Sequence, residues 1–246
     1  MHKRVPPIMT TIANALQAAR QRIALAATAA GRPVAGIQLL AVSKTFPAAA
    51  VRQAYTAGQR AFGESYVQEA MEKVEALNDL PLKWHFIGPI QSNKTRPIAE
   101  HFAWVHSLDR ARIADRLSAG RPSNLPDLQV CLQVNVSGEA SKSGVTAEDL
   151  PALACYVRTL PRMKLRGLMA IPEPTDDPAK QRLAFVRLRQ LLEQLNAEGF
   201  QLDTLSMGMS DDLEAAIAEG ATIVRVGSAI FGERHNIHHS ETEAQG

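Results

Sequence analysis

Two cysteines in 246 residues leave no basis for a disulfide framework. Cys131 and Cys155 lie far apart and form no CxxC pair. That removes a cysteine-based zinc site and points to reduced thiols in a cytoplasmic protein. Long apolar runs are missing too. None approaches the roughly 20 residues that span a bilayer, so no membrane association is expected. Excess charge of one sign is scarce: 27 Lys and Arg stand against 25 Asp and Glu, a net +2. Such a balance gives no electrostatic footprint for nucleic acid. No glycine-rich dinucleotide loop follows an early strand, as an open doubly wound sheet would usually show. Acids are absent before Glu64, whereas Lys3, Arg4, Arg20, Arg22 and Arg32 are basic. A targeting peptide shares that bias, but Gln17, Arg20, Gln21 and Arg22 crowd the approach to the apolar run 23–30. Ile12, Leu16, Ala19, Ile23 and Ala26 recur at helical spacing, so an amphipathic helix packed on the body is expected instead.

What is present reads as one globular domain over 1–246, with 46% hydrophobic and 21% charged residues. Residues 1–36 are expected to be the N-terminal helix and a linker, and 235–246 a polar tail. His235, His238 and His239 in that tail have no carboxylate or cysteine at ligand spacing, so no metal is expected. Between these ends, short apolar runs alternate with amphipathic helical patterns. Strands are expected at 37–44, 61–64, 83–87, 103–106, 128–136, 165–171, 202–206 and 222–226. Each is followed by a helix or a helix-like turn. Strict βα alternation over eight units predicts a parallel sheet closed into a single (β/α)8 TIM barrel carrying an extra N-terminal helix.

Such barrels do their chemistry at the C-terminal ends of the strands. Lys44 ends the first strand there. Glu64 and Ser65 follow the second, Gly88 to Asn93 the third, Ser107 the fourth, and Asn135 and Met169 end the fifth and sixth. The seventh loop, Ser206-Met207-Gly208-Met209-Ser210, opens a helix with Ser210 expected as N-cap. The eighth, Arg225-Val226-Gly227-Ser228, leaves the last strand. Small residues let backbone N–H groups approach an anion, and helix N-termini add partial positive charge. Barrels often bind phosphate at these two loops; the alternative is that Gly208 and Gly227 only make tight turns. A lysine facing a phosphate cradle suggests a Schiff base with a phosphorylated carbonyl compound, either pyridoxal phosphate or an aldolase substrate. Arg225 separates them, because a guanidinium beside the cradle suits the pyridine nitrogen of pyridoxal phosphate and does not give up its proton. His85, within the third strand, is expected to be a hydrogen-bonded wall residue.

Several blocks are specific enough to show a resemblance: Ala41-Val42-Ser43-Lys44, Phe62-Gly63-Glu64, Trp84-His85-Phe86-Ile87-Gly88-Pro89-Ile90-Gln91-Ser92-Asn93-Lys94, Gln133-Val134-Asn135-Val136, Ser141-Lys142-Ser143-Gly144, Gly167-Leu168-Met169, Ser206-Met207-Gly208-Met209-Ser210 and Val224-Arg225-Val226-Gly227. Over nearly its whole length the chain resembles the pyridoxal phosphate homeostasis proteins. The resemblance implies a fold-type III PLP-binding barrel of the alanine-racemase type without its second domain. It implies pyridoxal 5'-phosphate held as an aldimine on Lys44, with Ser210, Gly227 and Ser228 at the phosphate and Arg225 at the ring nitrogen. Ser65 and Met207 complete the implied cofactor-binding set. This chain departs from the family at Ser65, where asparagine is usual, and at Ser228, where threonine is more frequent. The implied role is to hold the cofactor, release it to apo-enzymes and limit free aldehyde, as a monomer without significant turnover. The alternatives are an amino-acid racemase-like enzyme, for which the second domain and an opposing tyrosine are missing, and a class I aldolase-like lyase.

Overall fold

The computed structural model describes residues 11–137 and 143–233. The tail 235–246, with His235, His238 and His239, and Ser141-Lys142 of the fifth loop lie outside the described residues. Among the described residues, eight parallel strands close in chain order: β1 (Gln38–Val42), β2 (Ala61–Glu64), β3 (Lys83–Phe86), β4 (Trp104–Leu108), β5 (Leu128–Gln133), β6 (Met163–Met169), β7 (Thr204–Ser206) and β8 (Ile223–Val226). Closure comes from β1 pairing β8, with Leu40 opposite Arg225 and Ala41 opposite Val226. The helices are α1 (Ile12–Ala29), α2 (Ala48–Thr56), α3 (Val67–Ala76), α4 (Thr95–His101), α5 (Ala111–Gly120), α6 (Leu150–Thr159), α7 (Pro178–Ala197), α8 (Leu213–Ala218) and α9 (Ser228–Phe231).

Alternation along the strands sorts residues to two faces. Leu40, Ala61 and Ile223 meet inside the barrel with Ile87 and Trp104. Leu39, Ala41, Phe62 and Val224 instead join the larger cluster under the helices. The last unit is short, because α9 has only four residues. Helix α1 packs against α8, α9 and α2 and so supplies the cover that α9 is too short to give. Its buried stripe is Ala15, Leu16, Ala19, Ile23 and Ala27, close to the spacing expected, with Ile12 and Ala26 only partly buried. Thr11 caps it by accepting from the Asn14 N–H. Arg20 donates to Ala57 O at 3.0 Å and Arg32 to Ile217 O at 2.7 Å, tying α1 and its following turn to both neighbours.

Several boundaries move relative to expectation. β1 stops at Val42, two residues before Lys44, because Thr45 adopts φ +70° and turns the chain. β4 runs on to Leu108, which places Ser107 inside the strand. β5 ends at Gln133: Asn135 N–H bonds Val145 O across a local bridge, so Asn135 lies beyond the ladder. β6 begins at Met163 and β7 at Thr204.

Candidate functional site

Lys44 shares its parity with Leu40 and Val42, the inward side of β1, and follows the strand onto the rim. The next residue carries backbone strain. A β-branched residue at φ +70° is held in the left-handed region, at a cost of roughly 1–2 kcal/mol. Its neighbours on the outer parity are polar and buried. Ser43 Oγ donates to Glu64 Oε1 at 2.5 Å, and Lys73 Nζ, from α3, donates to the same oxygen at 2.8 Å. Lys73 also donates to Ser43 O at 2.7 Å and to Glu69 Oε1 at 2.5 Å, and Glu69 Oε1 accepts the Thr45 N–H at 2.6 Å. Glu64 is fully buried, and its Oε2 has no partner among the described residues. Burial raises its pKa above the ordinary carboxylate value, against the pull of Lys73 and Ser43.

The lysine turn lies beside the eighth loop. A Cβ placed on Gly227 would stand 3.3 Å from Val42 O, so only glycine lets the two backbones come this close without displacement. Phe46, just past the lysine, stacks on Phe231 at 5.2 Å between ring centroids. Ser228 opens α9, and Ile230 is the first residue there whose N–H finds a backbone acceptor, Gly227 O at 2.9 Å. The Ser228 and Ala229 N–H groups precede it, where helix donors have no internal acceptor.

The seventh loop corrects one expectation. Ser210 is not the N-cap of α8; Asp212 occupies that position. The Asp212 carboxylate accepts the Met209 N–H at 2.6 Å and closes the turn in which Ser210 sits half-buried. A cap must immediately precede the first helical residue, and α8 begins three residues after Ser210. Gly208 has φ +94°, and a Cβ there would lie 2.5 Å from Ala216 Cβ, so its glycine is explained by the left-handed backbone and by close packing on α8. Helices α8 and α9 have only six and four residues. Met207 is fully buried in the main apolar cluster, which makes its side chain a packing residue. Ser65 stands at the end of β2, half-buried on the rim.

Arg225 shares the inward side with Ile223 and is 4% exposed. Its guanidinium donates from Nη1 to Ser206 O and Oγ, both at 2.8 Å, and from Nη2 to Ala170 O at 2.9 Å. Burial pushes its pKa down to about 10, which still leaves it protonated at neutral pH.

Behind Arg225 runs a chain of groups that reading the sequence did not bring together. Ser206 Oγ meets His106 Nδ1 at 2.7 Å, and His106 Nε2 meets His85 Nδ1 at 2.9 Å. His85 stacks on Trp104 with ring centroids 5.4 Å apart and 4° between planes. Arginine can only donate, so Ser206 accepts from Arg225; the Ser206–His106 and His106–His85 contacts each share one proton between two heavy atoms, and His85 Nε2 is buried with no partner among the described residues. Burial pushes His85 down to about 3 and His106 well below its ordinary value. His85 is thus the hydrogen-bonded interior residue expected of it. The partnership with His106 was hidden because it depends on strand register.

Cys131 is buried and its thiol is pushed up to about 12 by burial, whereas Cys155 is exposed; both are free. No group of three or more metal-ligating side chains occurs among the described residues. No helix among the described residues is long and apolar enough to cross a membrane.

The family model of the alanine racemase N-terminal domain matches residues 15–235. The alanine racemase of Corynebacterium glutamicum superposes with a TM-score of 0.67 at 17% identity, over 89% of this chain and 62% of that chain, a likeness of fold. The molecule is therefore a barrel of the alanine-racemase N-terminal class. PipY of Synechococcus elongatus PCC7942, solved with PLP bound, is similar with a TM-score of 0.80 and 40% identity, over 90% of this chain and 100% of that one. The pyridoxal phosphate homeostasis protein of Pseudomonas aeruginosa is 67% identical over 226 residues, 92% of this chain and 97% of its own length. On this similarity the chain belongs to the pyridoxal phosphate homeostasis protein family.

Proposed function

We propose that this chain binds pyridoxal 5'-phosphate at the barrel mouth, holds it covalently on Lys44 and acts in homeostasis of the cofactor rather than in turnover. The observation that carries the reading is the junction of the lysine turn with the Gly227–Ser228 turn, brought together where β1 closes on β8. These residues fit the cofactor. The cofactor, when bound, would supply an aldehyde able to take a primary amine as a Schiff base with loss of one water. Lys44 supplies the amine. The N–H groups of the eighth loop and the Ser210 turn receive the phosphate. Arg225, fixed by its three hydrogen bonds, faces the ring nitrogen, with Ser65 at the ring side. In this reading the whole chain, 1–246, is one domain that works as a monomer in the cytoplasm and passes cofactor to apo-enzymes. Cofactor-free protein mixed with pyridoxal phosphate should develop a visible absorbance band at one equivalent per chain. No band at saturating cofactor overturns the reading.

The Ser210 assignment has its own test. Because Ser210 lies three residues before α8 and Asp212 holds its N-cap position, Ser210→Ala removes no helix cap and should change stability little. A lost charge-assisted hydrogen bond of roughly 1.5–3 kcal/mol corresponds to about ten- to a hundredfold weaker cofactor binding at roughly 1.4 kcal/mol per decade. Pyridoxal lacking phosphate should lose far less. Equal losses for the two ligands would remove Ser210 from the phosphate site.

Turnover should be negligible. A guanidinium donates a hydrogen bond to the ring nitrogen but keeps its proton, so the bound ring is a weak electron sink. Racemase, transaminase and decarboxylase assays should remain near background. A rate of roughly 1 per second or more, ordinary for enzymes, with any common amino acid contradicts this.

A further inference from the structure

Two independent features converge on the residues flanking Lys44. One is a buried charge cluster. Lys73 is 4% exposed, and its ammonium joins Glu64, Glu69 and the Ser43 carbonyl. The other is a strained backbone: Thr45 sits at φ +70° with its N–H on Glu69 Oε1. The cluster lies behind the barrel wall. Ala61 and Gly63 of β2 face the interior, where a Cβ on Gly63 would meet Leu40 and Ile87. Glu64 therefore points outward, as does Ser43, while Lys44 has the inward parity. The cluster's hydrogen bonds to the lysine turn run to the Ser43 carbonyl and hydroxyl before Lys44 and to the Thr45 N–H after it.

We propose that Lys73, Glu64 and Glu69 are positioning residues for Lys44, clamping the backbone on both sides of it so that its amine is presented to the barrel mouth. A lysine side chain has several rotatable bonds, so its reach is defined only if its Cα is held. Strain persists only where the surroundings over-determine it, and here a buried ion cluster supplies that constraint. The inference rests on the reading of Lys44 as the cofactor's lysine.

Lys73→Met strands two carboxylates and is the harsher variant. Glu69→Ala decides the matter, because the Glu69 side chain is 29% exposed and its loss leaves the Lys73–Glu64 pair in place. Two readouts are taken: hydrogen exchange of the peptide spanning 43–46 in cofactor-free protein, and the rate at which the visible band forms with pyridoxal phosphate. Glu69→Ala should speed exchange and slow band formation about tenfold, the factor that about 1.4 kcal/mol represents, with circular dichroism unchanged. Thr45→Gly in the Glu69→Ala background should restore the rate to within about threefold, since glycine adopts positive φ without penalty. Unchanged exchange overturns the clamp. Faster exchange with an unchanged rate, or a slowed rate that Thr45→Gly does not restore, overturns the positioning role. A band that persists in Lys44→Ala sinks the Lys44 reading instead, and the exchange arm still shows separately whether the clamp exists.

Discussion

Lys44→Ala should abolish the visible band formed with pyridoxal phosphate, and borohydride should then fix no cofactor on the protein. In the native chain, reduction followed by peptide mapping should place the label on the peptide containing Lys44. The effect is expected to be all-or-none because the other residues proposed to hold the cofactor, Ser65, Ser210, Arg225, Gly227 and Ser228, offer no primary amine. The turn is held at the Ser43 carbonyl and the Thr45 N–H. The variant should retain weak, non-covalent affinity for the cofactor, since the proposed phosphate contacts are assigned to other residues. A label recovered on a different lysine would move the site.

Acid should destabilise the barrel well above the usual carboxylate range. His85 and His106 are both fully buried and neutral in the folded state, with His85 pushed down to about 3 and His106 well below its ordinary value. In the unfolded chain each titrates near about 6.5. Below that pH the unfolded state takes up protons that the folded state refuses, so stability is greatest above 6.5 and is lost as pH falls toward 3. Each histidine contributes a slope of up to about 1.4 kcal/mol per pH unit. For the pair the loss between pH 6.5 and 5 is about 3 kcal/mol, a large share of a stability of roughly 5–15 kcal/mol. Urea titrations across that range measure it directly, and His106→Gln should roughly halve the slope. A flat profile would mean that the two rings are hydrated or already charged. The consequence for the site is specific. A proton on His106 places a second cation near Arg225 and disturbs the Ser206–His106–His85 contacts, so Arg225 should lose its alignment along with the fold.

What could be read from the chain alone were properties carried by short stretches. Eight apolar runs alternating with helical patterns specify a parallel barrel. Turn chemistry places Ser65, Asn135, Ser210 and Gly227 on one rim, and an amphipathic period of 3.6 identifies α1. A lysine near the end of β1 is equally local, since strand period and strand length need only neighbouring residues. What required tertiary structure were contacts between residues far apart in the chain. The cap at Asp212 instead of Ser210 is the local exception, with the Met209 N–H bonding the Asp212 carboxylate three residues on. His106 became the partner of His85 only through the β3–β4 register. Lys73 reached Ser43 and Glu64 because α3 lies over the β1–β2 seam. The proposed site lies where β1 meets β8, with Val42 brought to Gly227 across most of the chain. Sequence periodicity determines which face a side chain takes, but only barrel closure, which sets register and backbone approach, decides which other side chain it meets there.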